Sequence, residues 1–420
     1  MCAVLCAALC LCVCGCGKTV DDGVSSTVII DEQIIYEDGT PYLSEENTDT
    51  SNNGNPEFDR SGNTKPSESD SKPQSDDPSN DTQNQDVLSL ADAAVTSKIK
   101  TNGRCEKSAD GIRLNFSASA IEFETDAAGA VLEIDANAGV YYSVIVDGVI
   151  TQKRAVTEGD RSYVILARNL PKGKHNIKFI RETEGRFNTR LTAVSLQLDG
   201  GDLADRPSDS KPLIEFLGDS LTSGYGNLVS NTITKASDLK YQSSLEAYPY
   251  ITASKLGVDY RIVSMSGIAV KSRDSYPAFL DFYKCENYFE DKTRSYSSSN
   301  PADVDIVIVN LGTNDVSHKL FNTENADSVE DYSNEYAKII TDIGYSKQAS
   351  IVFVSGCGSC EKQSVAFVGA IRKLEAQGYS KVYSYNASKN RSGGENHPSA
   401  QEHQNIANEL IKFLKEKGII

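Results

Sequence analysis

Strict alternation of strand-like and helix-like runs from Pro212 onward constrains the fold of this chain more than any other feature. "LIEFL", "YRIVSMS", "VDIVIVNLG", "SIVFVSG" and "KVYSYN" are short and apolar, as buried strands are. "EAYPYITASKLG", "SVEDYSNEYAKIITDIG", "EKQSVAFVGAIRKLEAQG" and "AQEHQNIANELIKFLKEKG" carry helical spacing, with glycine where a C-cap would stand. Alternation of this kind predicts an α/β fold built on a doubly wound parallel sheet. In such sheets ligands bind outside the carboxyl ends of the strands. The segments just after each strand are therefore where chemistry is expected.

The first half of the chain follows other rules. Between residues 87 and 203 the runs are short and alternating: "GIRLNF", "AIEFET", "AVLEID", "YYSVIVDG", "SYVILAR", "HNIKFIRE" and "TAVSLQLD". Turn signals such as "DG", "EGD" and "PKGK" separate them. That predicts an antiparallel, jelly-roll-like β-sandwich. "ADRPSDSKP", Ala204 to Pro212, is a polar joint to the α/β part. From Ser44 to Gln85 the only large apolar residue is Phe58, and ten acids outnumber three basic residues. Residues 16–86 are thus expected to be a disordered stalk, with too little apolar surface to offset the entropy of ordering.

Six of the ten cysteines lie in the first sixteen residues, which is no disulfide framework. Ala3 to Val13 is apolar but shorter than the roughly 20 residues a spanning helix takes. It reads as the apolar core of an export signal, residues 1–15. "VCGCGK" then places Cys16 as the residue to be lipidated, although no Lys or Arg precedes the apolar run. A lipid there would tether the protein to the outer face of a bacterial membrane, at ~0.8 kcal/mol per buried CH₂. The formal charge of −17 argues against a nucleic-acid partner.

At the strand tips, "GDSLTSGYG" brings Ser220 to the mouth of the sheet, and Gly218 permits the sharp bend. "SMSGIAV" offers Gly267, "NLGTNDVSH" offers Asn314 and Asp315, and "GGENHPSAQEHQ" offers His397 ahead of a helix that Ser399 can cap. A serine becomes a useful nucleophile only when a base takes its proton. An imidazole, with its unperturbed pKa near about 6.5, suits that task. His397 is the candidate base. His175 lies in the sandwich and His403 inside the last helix, while His318 follows the "GTND" tip.

Ser, Gly, Asn and His at successive tips make residues 212–420 resemble the SGNH (GDSL) hydrolase superfamily, which implies a flavodoxin-like sheet. The preceding sandwich, with "GR" at Gly103–Arg104 and "SVIVDG" at Ser143–Gly148, makes the whole chain look like carbohydrate esterase family two. That resemblance implies a serine esterase removing O-acetyl groups from polysaccharides, without metal or other cofactor. It implies an oxyanion hole formed by the backbone N–H groups of Ser220 and Gly267 and the side-chain amide of Asn314. The superfamily places an Asp three residues before the histidine; here that position is Gly394. In the esterase relatives the acid can sit two residues before, or a backbone carbonyl can replace it. Glu395 is therefore a candidate third catalytic member, against a Ser220–His397 dyad in which Glu395 is merely solvated. Tyr225, Asp219 and His318 are the expected substrate-binding residues, Asp219 also supporting the nucleophile loop.

No tryptophan is present, so any stacking surface for a sugar must come from Tyr or Phe. Tyr225, Tyr276 and Tyr283 stand nearest the tips. Nothing near Ser220 suggests a tunnel for a fatty chain, so a short acyl group on a carbohydrate fits best. A lysophospholipase or general short-chain esterase is the alternative enzyme. A sugar-binding surface lipoprotein without activity is the alternative outside enzymology. Cys357 and Cys360 form a CxxC after a strand, readable as a small disulfide or as a redox pair. A monomer is expected.

Overall fold

The structure, a computed structural model, describes residues 87–157, 159–186, 189–233, 235–297, 299–357, 361–389 and 391–420. The expected leader, Cys16, the acidic stalk and Cys360 lie outside the described residues.

Two antiparallel sheets share one core. The first runs Glu106–Ser108, Gly111–Arg113, Leu191–Leu198, Ala130–Ala136, Asp160–Ala167, with Val87–Ser89 also pairing to Leu191–Leu198. The second runs Lys100–Asn102, Ala120–Thr125, His175–Arg181, Tyr141–Val146, Val149–Val156. Their inner faces meet through Ile112, Leu132, Ile134 and Leu196 on one side and Phe123, Val144, Ile177 and Phe179 on the other. Strand Ala130–Ala136 shows the cause: buried and half-buried residues alternate along its whole length, as one covered face requires. In His175–Arg181 the alternation stops, and Phe179, Ile180 and Arg181 are all buried. Ile180 faces outward from the sandwich and joins a core that includes Ile214 and Phe216 of the parallel sheet. A second layer covers the outer face there.

The parallel sheet has five strands: Ile214–Gly218, Tyr260–Ser264, Ile306–Asn310, Ser350–Ser355 and Val382–Asn386. Counted along the chain they stand in the order 2-1-3-4-5, the flavodoxin-like arrangement. Neighbours pair in parallel register, Gly218 opposite Ser264 and Asn310. Side chains leave the strands alternately to two cores. Val263, Val307, Val309 and Phe353 pack with helices Ala326–Ile343 and Ser364–Ala376. Ile262, Ile306, Ile308 and Val352 pack with Tyr248–Leu256 and Ala400–Glu416. Ser399 caps the last helix in a capping box with Glu402.

Sandwich and sheet are joined by charged and polar contacts as well as by apolar ones. Lys100 Nζ lies 2.7 Å from Asp259 Oδ1. Arg104 donates to the carbonyls of Tyr283 and Cys285, with its guanidinium 3.6 Å over the Tyr296 ring. Arg154 bridges Glu182 and the Gln242 carbonyl at 3.0 and 2.7 Å.

Candidate active site

Strand Ile214–Gly218 ends at a bend too tight for any side chain: a Cβ on Gly218 would stand 1.9 Å from Thr222 Oγ1. The chain then turns into the one-turn helix Ser220–Ser223, capped by Asp219, whose Oδ1 accepts the Leu221 N–H at 3.0 Å. Asp219 is fully buried, and burial pushes its carboxyl up to about 7. It supports the nucleophile turn from below, closed off from solvent, with its Oδ2 accepting from Asn314 Nδ2 at 3.4 Å. Ser220 itself is 8% exposed, at the rim.

His397 approaches from the other end of the sheet. Its Nε2 lies 2.8 Å from Ser220 Oγ. Nδ1 lies 3.1 Å from the Gly394 carbonyl and 3.2 Å from that of Glu395. A carbonyl oxygen only accepts, so Nδ1 carries the proton and the Nε2 lone pair faces the serine hydroxyl. That is the tautomer a general base needs. Burial lowers the imidazole pKa, and the two carbonyls partly restore it. The carbonyls point at the ring because Glu395 and Asn396 both have positive φ, 51° and 61°.

The Glu395 carboxylate does not orient His397. Oε1 accepts the Ala236 N–H at 2.9 Å and Oε2 accepts the Tyr225 hydroxyl at 3.1 Å. The carboxylate is therefore not merely solvated either: it straps the histidine loop to the segment after the nucleophile helix. Gly394 N–H to Gly226 O at 2.8 Å and Ala400 N–H to Asn227 O at 2.8 Å do the same through the backbone. Tyr225 is a buried wall, its ring centroid 4.7 Å from that of His397. Tyr283 belongs to the core and donates to Glu215. His318 sits exposed at the C-cap of Thr313–Ser317.

The oxyanion groups occupy the neighbouring strand ends. Met265–Ile268 is a turn closed by Ile268 N–H to Met265 O at 3.1 Å, with Gly267 at φ +86°. Only glycine fits there, since a Cβ would also meet the Tyr276 ring at 2.9 Å. Asn314 Nδ2 donates to the Ile268 carbonyl at 2.7 Å, which fixes its amide beside this turn. Among the described residues, the backbone N–H groups of Ser220 and Gly267 have no acceptor. Asp315, fully buried, accepts from Val270 N–H, Lys271 N–H and the Tyr332 hydroxyl. Arg273 Nη2 donates to the Gly267 carbonyl at 2.7 Å. From the sandwich, Glu184 accepts the Ser266 N–H at 2.7 Å and Arg186 donates to the Ser266 carbonyl at 3.0 Å.

Glu184, Arg186 and Arg273 were not among the residues expected from sequence. The one signal available was the charge density of "RETEGR" directly after an apolar strand. The other histidines are spoken for: His175 pairs with Asp147, and His403 is buried against Tyr248. Cys357 is a fully buried thiol pushed up to about 12 by burial, unlike the depressed thiols of redox sites.

Residues 101–207 match the carbohydrate esterase 2 N-terminal family, and residues 214–354 match the GDSL-like lipase/acylhydrolase family. The chain is 24% identical over 332 residues to the cellulase/esterase CelE of Acetivibrio thermocellus, covering 76% of this chain and only 39% of that protein. It is 26% identical over 329 residues to the acetylxylan esterase / glucomannan deacetylase of Cellvibrio japonicus, covering 73% of this chain and 86% of the other. The solved acetyl xylan esterase from the rumen bacterium Butyrivibrio proteoclasticus superposes with a TM-score of 0.69 at 20% identity, over 80% of this chain and 99% of that one. At that identity the likeness is one of fold.

Proposed function

Because the chain joins a carbohydrate esterase 2 N-terminal domain to a GDSL-like acylhydrolase domain, we propose that it is a serine esterase that removes O-acetyl groups from polysaccharides. The observation that carries this is the 2.8 Å approach of His397 Nε2, unprotonated, to Ser220 Oγ. His397 takes the serine proton as Oγ attacks the ester carbonyl. The developing oxyanion is met by the N–H groups of Ser220 and Gly267 and by the second Asn314 N–H, whose resting partner is Asp219 Oδ2 at a long 3.4 Å. The imidazolium then protonates the departing sugar oxygen as its bond to the acyl carbon breaks, so that the sugar leaves as the free hydroxyl and an acyl-serine remains. Water, activated by the same nitrogen, releases acetate.

Two features favour a short acyl group on a carbohydrate. The wall beside His397 is a tyrosine tied down by Glu395, a polar lining rather than an aliphatic one. The similar proteins include one named for acetylxylan and glucomannan. Acetate release from acetylated xylan and acetylated glucomannan, wild type against Ser220→Ala, tests the reading. A 4-nitrophenyl ester series should fall in rate from acetate to longer chains. A rate that climbs with chain length would replace this reading with a lipase.

We also read the protein as exported and held at the outer face of a bacterial membrane by a lipid on Cys16, working as a monomer. The leader pattern and the "VCGCGK" cysteine support the anchor, and a catalytic set drawn from one chain is consistent with a monomer. Release of Cys16→Ser into the medium, with wild type retained in the membrane fraction, is the expected outcome. Light scattering on the chain lacking residues 1–86 should give the monomer mass.

A further inference from the structure

The turn that supplies the Gly267 N–H has two possible settings. In a four-residue turn, types I and II differ by a flip of the central peptide, and type II needs positive φ at the third residue. Here the central peptide is Ser266–Gly267, and Gly267 at φ +86° marks the type II setting. A trans peptide is planar, so its C=O and N–H point in opposite directions. Whatever binds the Ser266 carbonyl therefore aims the Gly267 N–H.

That partner is Arg186, whose Nη1 donates to the Ser266 carbonyl at 3.0 Å. Beside it, Glu184 Oε2 accepts the Ser266 N–H at 2.7 Å and the Ser223 hydroxyl at 3.4 Å. The two side chains face each other, Arg186 Nε 3.6 Å from Glu184 Oε1, and Glu184 is 1% exposed. Both belong to the sandwich. They stand on the loop after strand His175–Arg181, which Arg181 holds from within. Its buried guanidinium donates to the carbonyls of Leu114, Thr183, Glu184 and Thr189.

We propose that Arg186 and Glu184 are positioning residues of the oxyanion hole: they clamp both polar groups of Ser266, lock the Ser266–Gly267 peptide in its flipped setting, and so make the sandwich part of the catalytic machinery. Arg186 acts in two ways. It fixes the direction of the Gly267 N–H, and it polarises the peptide so that this N–H becomes a stronger donor. Arg273 and Asn314 hold the next two carbonyls, of Gly267 and Ile268, at 2.7 Å each. Those groups come from the α/β part; only the flip is set from the sandwich. The clamp rests on the esterase reading for its catalytic consequence, though not for its geometry.

The test uses the whole chain with Arg186→Gln, Arg186→Lys and, as an interface control, Arg154→Gln, which touches no part of the turn. On 4-nitrophenyl acetate, Arg186→Gln should lower kcat by about 10–100-fold with KM within about twofold, somewhat less than deletion of a hole donor. Arg186→Lys should restore part of it. The loss should be smaller on the thionoester, because sulfur already uses the hole poorly; the ester-to-thionoester rate ratio therefore falls in Arg186→Gln. Arg154→Gln should leave that ratio and kcat unchanged while lowering the melting temperature. An unchanged ratio in Arg186→Gln, or an equal kcat loss in Arg154→Gln, overturns the proposal. A second readout stands apart from activity: amide exchange in the peptide spanning Ser264–Lys271 should quicken in Arg186→Gln and not in Arg154→Gln. Were wild type to show no Ser220-dependent turnover, the esterase reading would fall and exchange alone would decide. Exchange unchanged by Arg186→Gln overturns the clamp.

Discussion

The two halves of the site are held in opposite ways. The oxyanion turn is gripped by charged and amide side chains from three directions: Glu184 and Arg186, Arg273, and Asn314 with Asp315 behind it. The histidine ring is aimed by backbone alone, although the Glu395 side chain straps its loop. Two carbonyls at 3.1 and 3.2 Å orient the ring, and the nearest carboxylate, Glu395, is bonded to Tyr225 and Ala236 instead. The difference teaches where this fold concentrates its precision. A neutral imidazole needs one acceptor to fix its tautomer, and a carbonyl suffices. An oxyanion hole needs donors aimed in advance at a point where charge appears only transiently.

Substitutions can break or sharpen that contrast. Ser220→Ala and His397→Ala remove the reacting pair and should each lower kcat by about 10⁴-fold or more on any ester. Steady-state release from 4-nitrophenyl acetate measures it. Asn314→Ala removes one donor from the heavily held half and should cost ~10²–10³ in kcat with KM little changed. The acidic limb of kcat/KM reports the lightly held half. With burial outweighing the carbonyl bonds, His397 stays neutral to lower pH than a free imidazole. Activity should therefore fall only below about pH 6.5. A limb centred above that value would mean a carboxylate pressed against the ring. Smallest is Glu395→Gln, expected within about threefold of wild type, because the amide can still bond Tyr225. The corresponding change in a triad acid costs ~10⁴.

Much of this was legible before any coordinates. The four positions are local features: a serine, a glycine and an asparagine just beyond apolar runs, and a histidine just ahead of the last helix. Strand alternation alone tells where such tips gather. Sheet order came only through the resemblance, since the inner strands Ile214–Gly218, Ile306–Asn310 and Ser350–Ser355 are buried along their whole length and look alike in sequence. The role of Glu395 turned on a choice between its side chain and its backbone. That choice depends on positive φ at residues 395 and 396, and a glutamate gives no signal of it. Glu184 and Arg186 were invisible for another reason. They lie in a different domain from Ser266, and charged loop residues ordinarily read as solvated. Only the packed structure shows the carboxylate to be 1% exposed and bonded across the domain boundary. Tyr225 and Asp219 were rightly drawn to the site, but that Asp219 is closed off under the nucleophile turn while Tyr225 walls the histidine is a property of their neighbours.

The most direct test is to look for the covalent intermediate. Wild-type protein turning over 4-nitrophenyl acetate, quenched in acid within the first turnovers, should carry one acetyl group on the peptide that contains Ser220, seen by mass spectrometry. The label should vanish in Ser220→Ala. An acetyl group found on another residue, or steady turnover in Ser220→Ala, would contradict the account.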